Sequence, residues 1–246
     1  MMDFQFIADT VLSLLSGVPK TLQLAAISIS VGAVLAVILA CLRLYGPWPV
    51  RTLVRGYVFT FRGTPLLVQI FLIYYGLGQL SAVRHSFLWV YLREPFWCAV
   101  LALALNTAAY GAEIIRGGIL SVPYGQVEAA WACGMSGFKT FRRIIFPVAL
   151  RQALPAYSNE IILMVKSTSL ASIITLMEVT GIAYKIISET YNAVPVFVCA
   201  GGIYLFINFI VTRVLQYFER RLTPHLRRRS DDSKETNGRI KGASIG

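Results

Sequence analysis

Long apolar runs alternate with short polar segments along nearly the whole chain, and this alternation outweighs any amphipathic face as the dominant pattern. A helix that crosses a bilayer needs about 20 largely apolar residues. Runs 21–42, 96–115, 153–177 and 195–215 are of that order, and the shorter run 66–80 reads as one more span between the first two. The pattern predicts an all-α membrane protein with about five transmembrane helices. Ahead of them, Phe4, Ile7, Val11, Leu14 and Leu15 fall at helical spacing and predict an amphipathic lead-in over 1–19, lying along the outer interface.

The polar segments differ in charge. Residues 43–62 carry Arg43, Arg51, Arg55 and Arg62 around a turn marked by Gly46, Pro47 and Pro49, and predict a cytosolic loop. Residues 81–95 are poor in basic groups, and Tyr74, Tyr75 and Trp89 suit an aromatic belt at the outer face. The third span returns to Arg116, the fourth leaves toward an outer loop with Glu178, Lys185 and Glu189, and the fifth stops at Arg220 and Arg221. This alternation predicts the N-terminus outside and the C-terminus in the cytosol.

Composition narrows the class. With 56% hydrophobic and 14% charged residues and a mean hydropathy of +0.63, the chain has too little charge to cover a soluble domain of 246 residues. Lys and Arg outnumber Asp and Glu by 23 to 12, yet the excess falls in loops and in residues 223–246, which reads as topology rather than nucleic-acid binding. That segment, with Arg227, Arg228 and Arg229, is expected to be a disordered basic cytosolic tail. Asp3 and Asp9 precede the first apolar run without a basic leader, so a retained first span is expected. Cys41, Cys98, Cys133 and Cys199 stand singly, predicting neither a disulfide framework nor a metal site. No G-x-x-x-x-G-K-[ST] occurs, and no clustered acid, base and nucleophile is visible, so the chain is not expected to be an enzyme or to hold a cofactor.

The one long polar and basic insertion spans 121–150. Pro123 suits a first helical turn, Ala129, Ala130 and Ala132 favour helix with little bulk, and Gly134 is placed to end it. Ser136 is placed to cap a second short helix that carries Lys139, Arg142 and Arg143 into Pro147. Such a hairpin serves either as a basic surface on anionic lipid or as a docking element that lets a partner's backbone come close.

Polar residues inside apolar spans are costly and usually face a cavity or one another. The fourth span contains Asn159, Glu160, Lys166, Ser167, Thr168 and Ser169; the spacing of seven from Asn159 to Lys166 and from Glu160 to Ser167 is expected to put these four on one face. Asn106, Tyr110 and Glu113 form a stripe on the third span. Together they predict a translocation path, with Glu160 meeting a cationic group and Lys166 meeting a carboxylate or holding Glu160. The alternatives are structural pairing, interhelical hydrogen bonds, and neutralisation of Arg116 by Glu113.

Glu128-Ala129-Ala130, Gly134 and Ile144-x-Phe146-Pro147 resemble the EAA motif of ABC-importer permeases, with Phe146 where the family usually has Leu. The resemblance extends to Arg62-Gly63-Thr64-Pro65, Ala112-Glu113-Ile114-Ile115-Arg116-Gly117-Gly118, Asn159-Glu160-Ile161 and Lys166-Ser167-Thr168-Ser169-Leu170, which are similar to motifs of the polar amino acid permeases, the group that includes the HisM, ArtM and opine (octopine, nopaline) permease subunits. It implies the type I importer permease fold in a bacterial inner membrane, with a permease domain over 20–222 and a cytosolic coupling loop over 117–152. It implies that Glu128, Ala129, Ala130, Gly134, Ile144 and Pro147 seat against an ATPase. Partners so implied are a cytosolic ATPase dimer that binds the ATP, a second permease subunit (a related chain or a second copy) and a periplasmic binding protein. The expected cargo is a polar, basic amino acid or an arginine-derived opine. A gradient-driven carrier or channel subunit is the alternative that intramembrane carboxylates alone leave open.

Overall fold

The computed structural model describes residues 4–222, and every regular element among them is helical. The expected tail over 223–246 lies outside the described residues. Helix α1 (Phe4–Leu15) leads through Ser16 and Gly17 into α2 (Val18–Tyr45). α3 (Trp48–Gly63) and α4 (Leu66–Phe71) follow, and the short α5 (Ser81–Arg84) and α6 (Trp89–Leu92) precede α7 (Pro95–Leu120). α8 (Tyr124–Ala132) and α9 (Gly137–Thr140) form the hairpin, and α10 (Phe146–Ser167), α11 (Val179–Thr190) and α12 (Ala193–Leu222) complete the chain.

Three stretches are long and apolar enough to cross a bilayer unaided: Phe4–Tyr45, Pro95–Leu120 and Ala193–Leu222. Two bent pairs, Trp48–Gly63 with Leu66–Gly76 at 109° and Gly137–Ile174 with Val179–Thr190 at 45°, raise the total to as many as five when each is counted as one broken span. The second span therefore begins earlier than its apolar run. The arginine-bearing segment expected as a loop is α3, in which Arg51, Arg55 and Arg62 recur at spacings of four and seven and so share one face. The outer loop expected around Glu178 to Glu189 is likewise helical, as α11, because its apolar side packs on α1 and α12 around Leu14, Val179, Ala183, Val196 and Ala200.

At the centre α2 lies along α7. Ser28, Gly32, Ala36 and Ala40 recur every four residues on α2, all buried, and within this row Gly32 meets Ala104 and Thr107 of α7 and Ala36 meets Gly111. A Cβ at Gly32 would come within 2.8 Å of Thr107, and one at Gly111 within 2.8 Å of Ala36. Small residues in such a row let backbones approach where lipid offers no hydrophobic drive to associate. α10 crosses the other side of α7 as closely, since a Cβ at Gly118 would stand 2.7 Å from the Ala149 carbonyl oxygen.

The hairpin follows from its punctuation. Gly134 takes φ +74°, Met135 N–H donates to Ala130 O at 3.0 Å and Gly134 N–H to Trp131 O at 2.9 Å, which are the two bonds of a Schellman ending. Ser136 occupies the N-cap position of α9, but its hydroxyl makes no capping bond, in contrast to the expectation. Pro147 cannot donate to the carbonyl four residues earlier, and the chain widens into a π-helical turn over Phe141–Ile145 before continuing as α10.

Candidate functional site

The polar groups of the spans gather around a break. α3 stops at Gly63, Thr64 and Pro65 are extended, and α4 leaves at a steep angle because Pro65 disfavours helix at the residue before it. Broken backbone at membrane depth must be satisfied by protein groups. Gln69 does this: its side-chain amide donates to Phe61 O at 2.8 Å, Thr64 O at 3.1 Å and Thr64 Oγ1 at 2.9 Å. Its own oxygen accepts from Asn106 Nδ2 at 3.0 Å, and Asn106 also reaches Phe61 O at 3.5 Å. The Tyr57 hydroxyl donates to Leu105 O at 2.6 Å, so α7 is tied to α3 before the break and, through Gln69 and Asn106, to α4 after it.

The expected stripe on α7 separates into three tasks. Asn106 is buried and braces the break. Tyr110 lies beneath the Arg62 guanidinium, 5.1 Å from ring centroid to Cζ. Glu113 pairs with Arg43 and with Arg116, the latter at 2.9 Å, which is the neutralising role weighed for it. A cavity of about 540 Å³ joins these groups, lined by Arg43, Arg55, Val58, Phe59, Arg62, Gly63, Tyr110 and Glu113.

On α10, Glu160 is buried, whereas Asn159 and Lys166 are exposed and Ser167 is half-buried. The spacing of seven holds within each pair, but adjacent residues diverge by about 100° around a helix, so the two pairs do not share one face. Glu160 and Lys166 form no ion pair among the described residues. Arg62, a residue of the break, likewise stands in no ion pair among the described residues and lies over the Tyr110 ring. The Tyr157 hydroxyl, one turn before Glu160, is buried without a hydrogen-bond partner. Ser167, Thr168 and Ser169 donate to the carbonyls of Leu163, Val165 and Lys166 at 2.9, 2.7 and 2.8 Å, so these hydroxyls retain mainly their acceptor lone pairs.

In the hairpin, Glu128 and Ala129 are exposed, while Ala130 is buried and Ile144 and Pro147 are half-buried. Tyr124 and Trp131 stand exposed, edge to face at 6.3 Å, with Phe138 and Phe146 also exposed.

A family profile described as "Binding-protein-dependent transport system inner membrane component" matches residues 32–224. The chain belongs to this family. The permease is 60% identical to the octopine transport system permease protein OccM of Rhizobium radiobacter, over 92% of each chain. It is 57% identical to the nopaline transport system permease protein NocM of Agrobacterium fabrum over 93% of this chain and 95% of that one. With the histidine/lysine/arginine/ornithine permease protein HisM of Salmonella typhimurium it shares 44% identity over 86% and 90%. Among solved structures, an amino acid ABC transporter with histidines superposes with a TM-score of 0.80 at 34% identity, covering 90% of the permease and 99% of that chain. The MetNI methionine transporter, at TM-score 0.69 and 18% identity over 86% and 96%, shares the fold. The permease is thus a multi-pass inner-membrane subunit of an ABC importer of type I fold, non-enzymatic in itself, in a class of complex where a partner hydrolyses ATP.

The residues absent from the sequence-based set are Gln69 and, as a site group, Arg62. Both carried a signal. Gln69 is a lone polar residue in an apolar run just after a Thr-Pro break, and Arg62 immediately precedes that break.

Proposed function

We propose that the permease forms one half of the pore of an importer for guanidinium-bearing and other basic amino acids or opines, with Glu160 and Arg62 as the two poles that receive the solute. The single observation that carries this reading is that a buried carboxylate, Glu160, and an arginine at a helix break, Arg62, both stand outside any ion pair among the described residues. An amino acid carries both a cation and a carboxylate, and such a pair of poles offers each a charge-assisted partner. Broken helices at mid-span are where transporters place their substrates. The names of the relatives, octopine, nopaline and histidine/lysine/arginine/ornithine permease proteins, support the basic class.

Arg62, Thr64, Asn159 and Lys166 are exposed on spanning elements and cannot face hydrocarbon cheaply. A second permease subunit, a copy or a related chain, covers them in this reading. The 117–152 loop faces the cytosol and seats Glu128, Ala129, Gly134, Ile144 and Pro147 against an ATPase dimer, and a periplasmic binding protein delivers the solute. Residues 1–19 act as an anchoring lead-in to the permease domain over 20–222.

Uptake of arginine and octopine, compared with glutamine, by the reconstituted complex tests the assignment. Glu160→Gln removes one charge-assisted bond and lowers uptake of the two guanidinium solutes by about tenfold or more, with glutamine less affected. Equal loss for all three solutes at equal protein would make Glu160 structural. Lys166→Met should combine additively with Glu160→Gln, because the two do not pair.

A further inference from the structure

Beyond α10 the chain does something unusual for a spanning helix. It tightens into a 3₁₀ segment over Thr168–Ile174, seven residues long, where such runs rarely exceed about four. The segment ends at Thr175 with φ 63° and ψ 16°. This is the left-handed region, which a β-branched residue occupies only when its surroundings impose it.

Three residues on stands a buried carboxylate. Glu178 is the N-cap of α11 and is completely buried. Its Oε1 accepts from Gly181 N–H at 3.0 Å, and its Oε2 accepts from the Tyr204 hydroxyl at 2.5 Å and the Thr21 hydroxyl at 3.3 Å. The Thr180 hydroxyl donates to Tyr204 Oη at 3.2 Å, and Val179 N–H donates to Thr21 Oγ1 at 3.4 Å. No cation pairs with Glu178 among the described residues; Gly181 N–H, the Tyr204 hydroxyl and the Thr21 hydroxyl, whose one hydrogen is shared with Gly17 O at 3.2 Å, satisfy its oxygens at the N-terminus of α11. α2, α11 and α12 therefore meet on one carboxylate. The approach is close: a Cβ at Gly17 would lie 2.7 Å from Val179 N, and one at Gly181 would collide with the Leu176 carbonyl. The other end of the same segment is Lys166 to Ser169, on the polar side of α10.

We propose that residues 168–177 are a latched hinge. The Glu178, Tyr204 and Thr21 knot holds the segment against the strain at Thr175, and release of the knot moves the Lys166 end during the nucleotide-driven cycle. A fixed wall of the pore needs neither a strained threonine nor a buried carboxylate, whereas a two-state element needs opposing terms of similar size. Removing the shortest bond, in Tyr204→Phe, tips the hinge toward release. Removing the strain, in Thr175→Gly, tips it toward the latch, because glycine takes this φ freely. The inference rests on membership of the permease family and not on which solute is carried.

The test uses the permease assembled with its ATPase in vesicles, with Ser172→Cys as reporter, native Cys98 retained, and Cys41, Cys133 and Cys199 replaced. N-ethylmaleimide is the probe, without nucleotide and with ATP plus vanadate. In the otherwise unaltered chain, Ser172→Cys should react about fivefold or more faster with ATP and vanadate. With Tyr204→Phe it should react fast in both states, with Thr175→Gly slowly in both, and the combined variant should regain nucleotide dependence. Cys98, buried and bonded to Leu92 O, must stay unreactive throughout. Equal rates in both nucleotide states for the unaltered chain would overturn the proposal. So would exposure of Cys98 by Tyr204→Phe, which would mark the knot as structural only.

Discussion

Replacing Gln69 by leucine keeps size and apolar fit while removing the brace of the α3–α4 break, and the structure allows the effect to be worked through. The amide makes three donor contacts at 2.8 to 3.1 Å and accepts one bond at 3.0 Å. Two amide hydrogens can fill only two of the three donor contacts at full strength, so with the accepted bond the side chain makes three full bonds here. Leucine strands the Thr64 carbonyl and the Asn106 amide, and leaves Phe61 O with the long contact to Asn106 alone. Side-chain bonds within membranes average about 0.6 kcal/mol, but a stranded buried group costs about 1 to 3 kcal/mol. Two stranded groups give about 2 to 6 kcal/mol. At about 2 to 4 °C per kcal/mol for a chain of this size, thermal unfolding of the detergent-purified protein should fall by roughly 4 to 24 °C. Asn106→Leu added to Gln69→Leu removes the stranded donor as well, so the double variant should be less damaged than the sum of the singles. A Gln69→Leu protein melting within about 2 °C of the parent, or strict additivity with Asn106→Leu, would refute the bracing role.

The hairpin offers a contrast between neighbours. Ala129→Asp, on the exposed side, should weaken ATPase association while leaving protein level unchanged, whereas Ala130→Asp buries a charge within the hairpin and should lower the amount of folded protein; equal behaviour of the two in pull-down and expression would contradict the placement of the docking face. For topology, single cysteines at Ser136 and Ser86 should label with a membrane-impermeant maleimide from opposite sides, Ser136 from the cytosol, and labelling of both from one side would reverse the assignment.

Local features were legible because local residues decide them. The apolar runs mark the spans, Pro65 ends a helix by its own ring, and Gly134 ends α8 because only glycine takes its positive φ without cost. The four-residue spacing of Ser28, Gly32, Ala36 and Ala40 also stands in the sequence, although span length alone does not use it. Two local readings went astray for a tertiary reason: α3 and α11 look like loops by hydropathy, yet each is helical because one face is covered by α7 or by α1 and α12. Partnerships between spans were not legible, although the local one, Glu113 with Arg116 three residues on, was. Glu160 is near Lys166 in sequence, but helical rotation turns them apart and they form no ion pair, while Glu113 takes Arg43 from another span. Glu178 reads as a loop carboxylate until Thr21 and Tyr204, from opposite ends of the chain, close over it. A side chain's partner depends on which distant helices cross and at what depth, and small residues at those crossings settle that only when all the spans pack together.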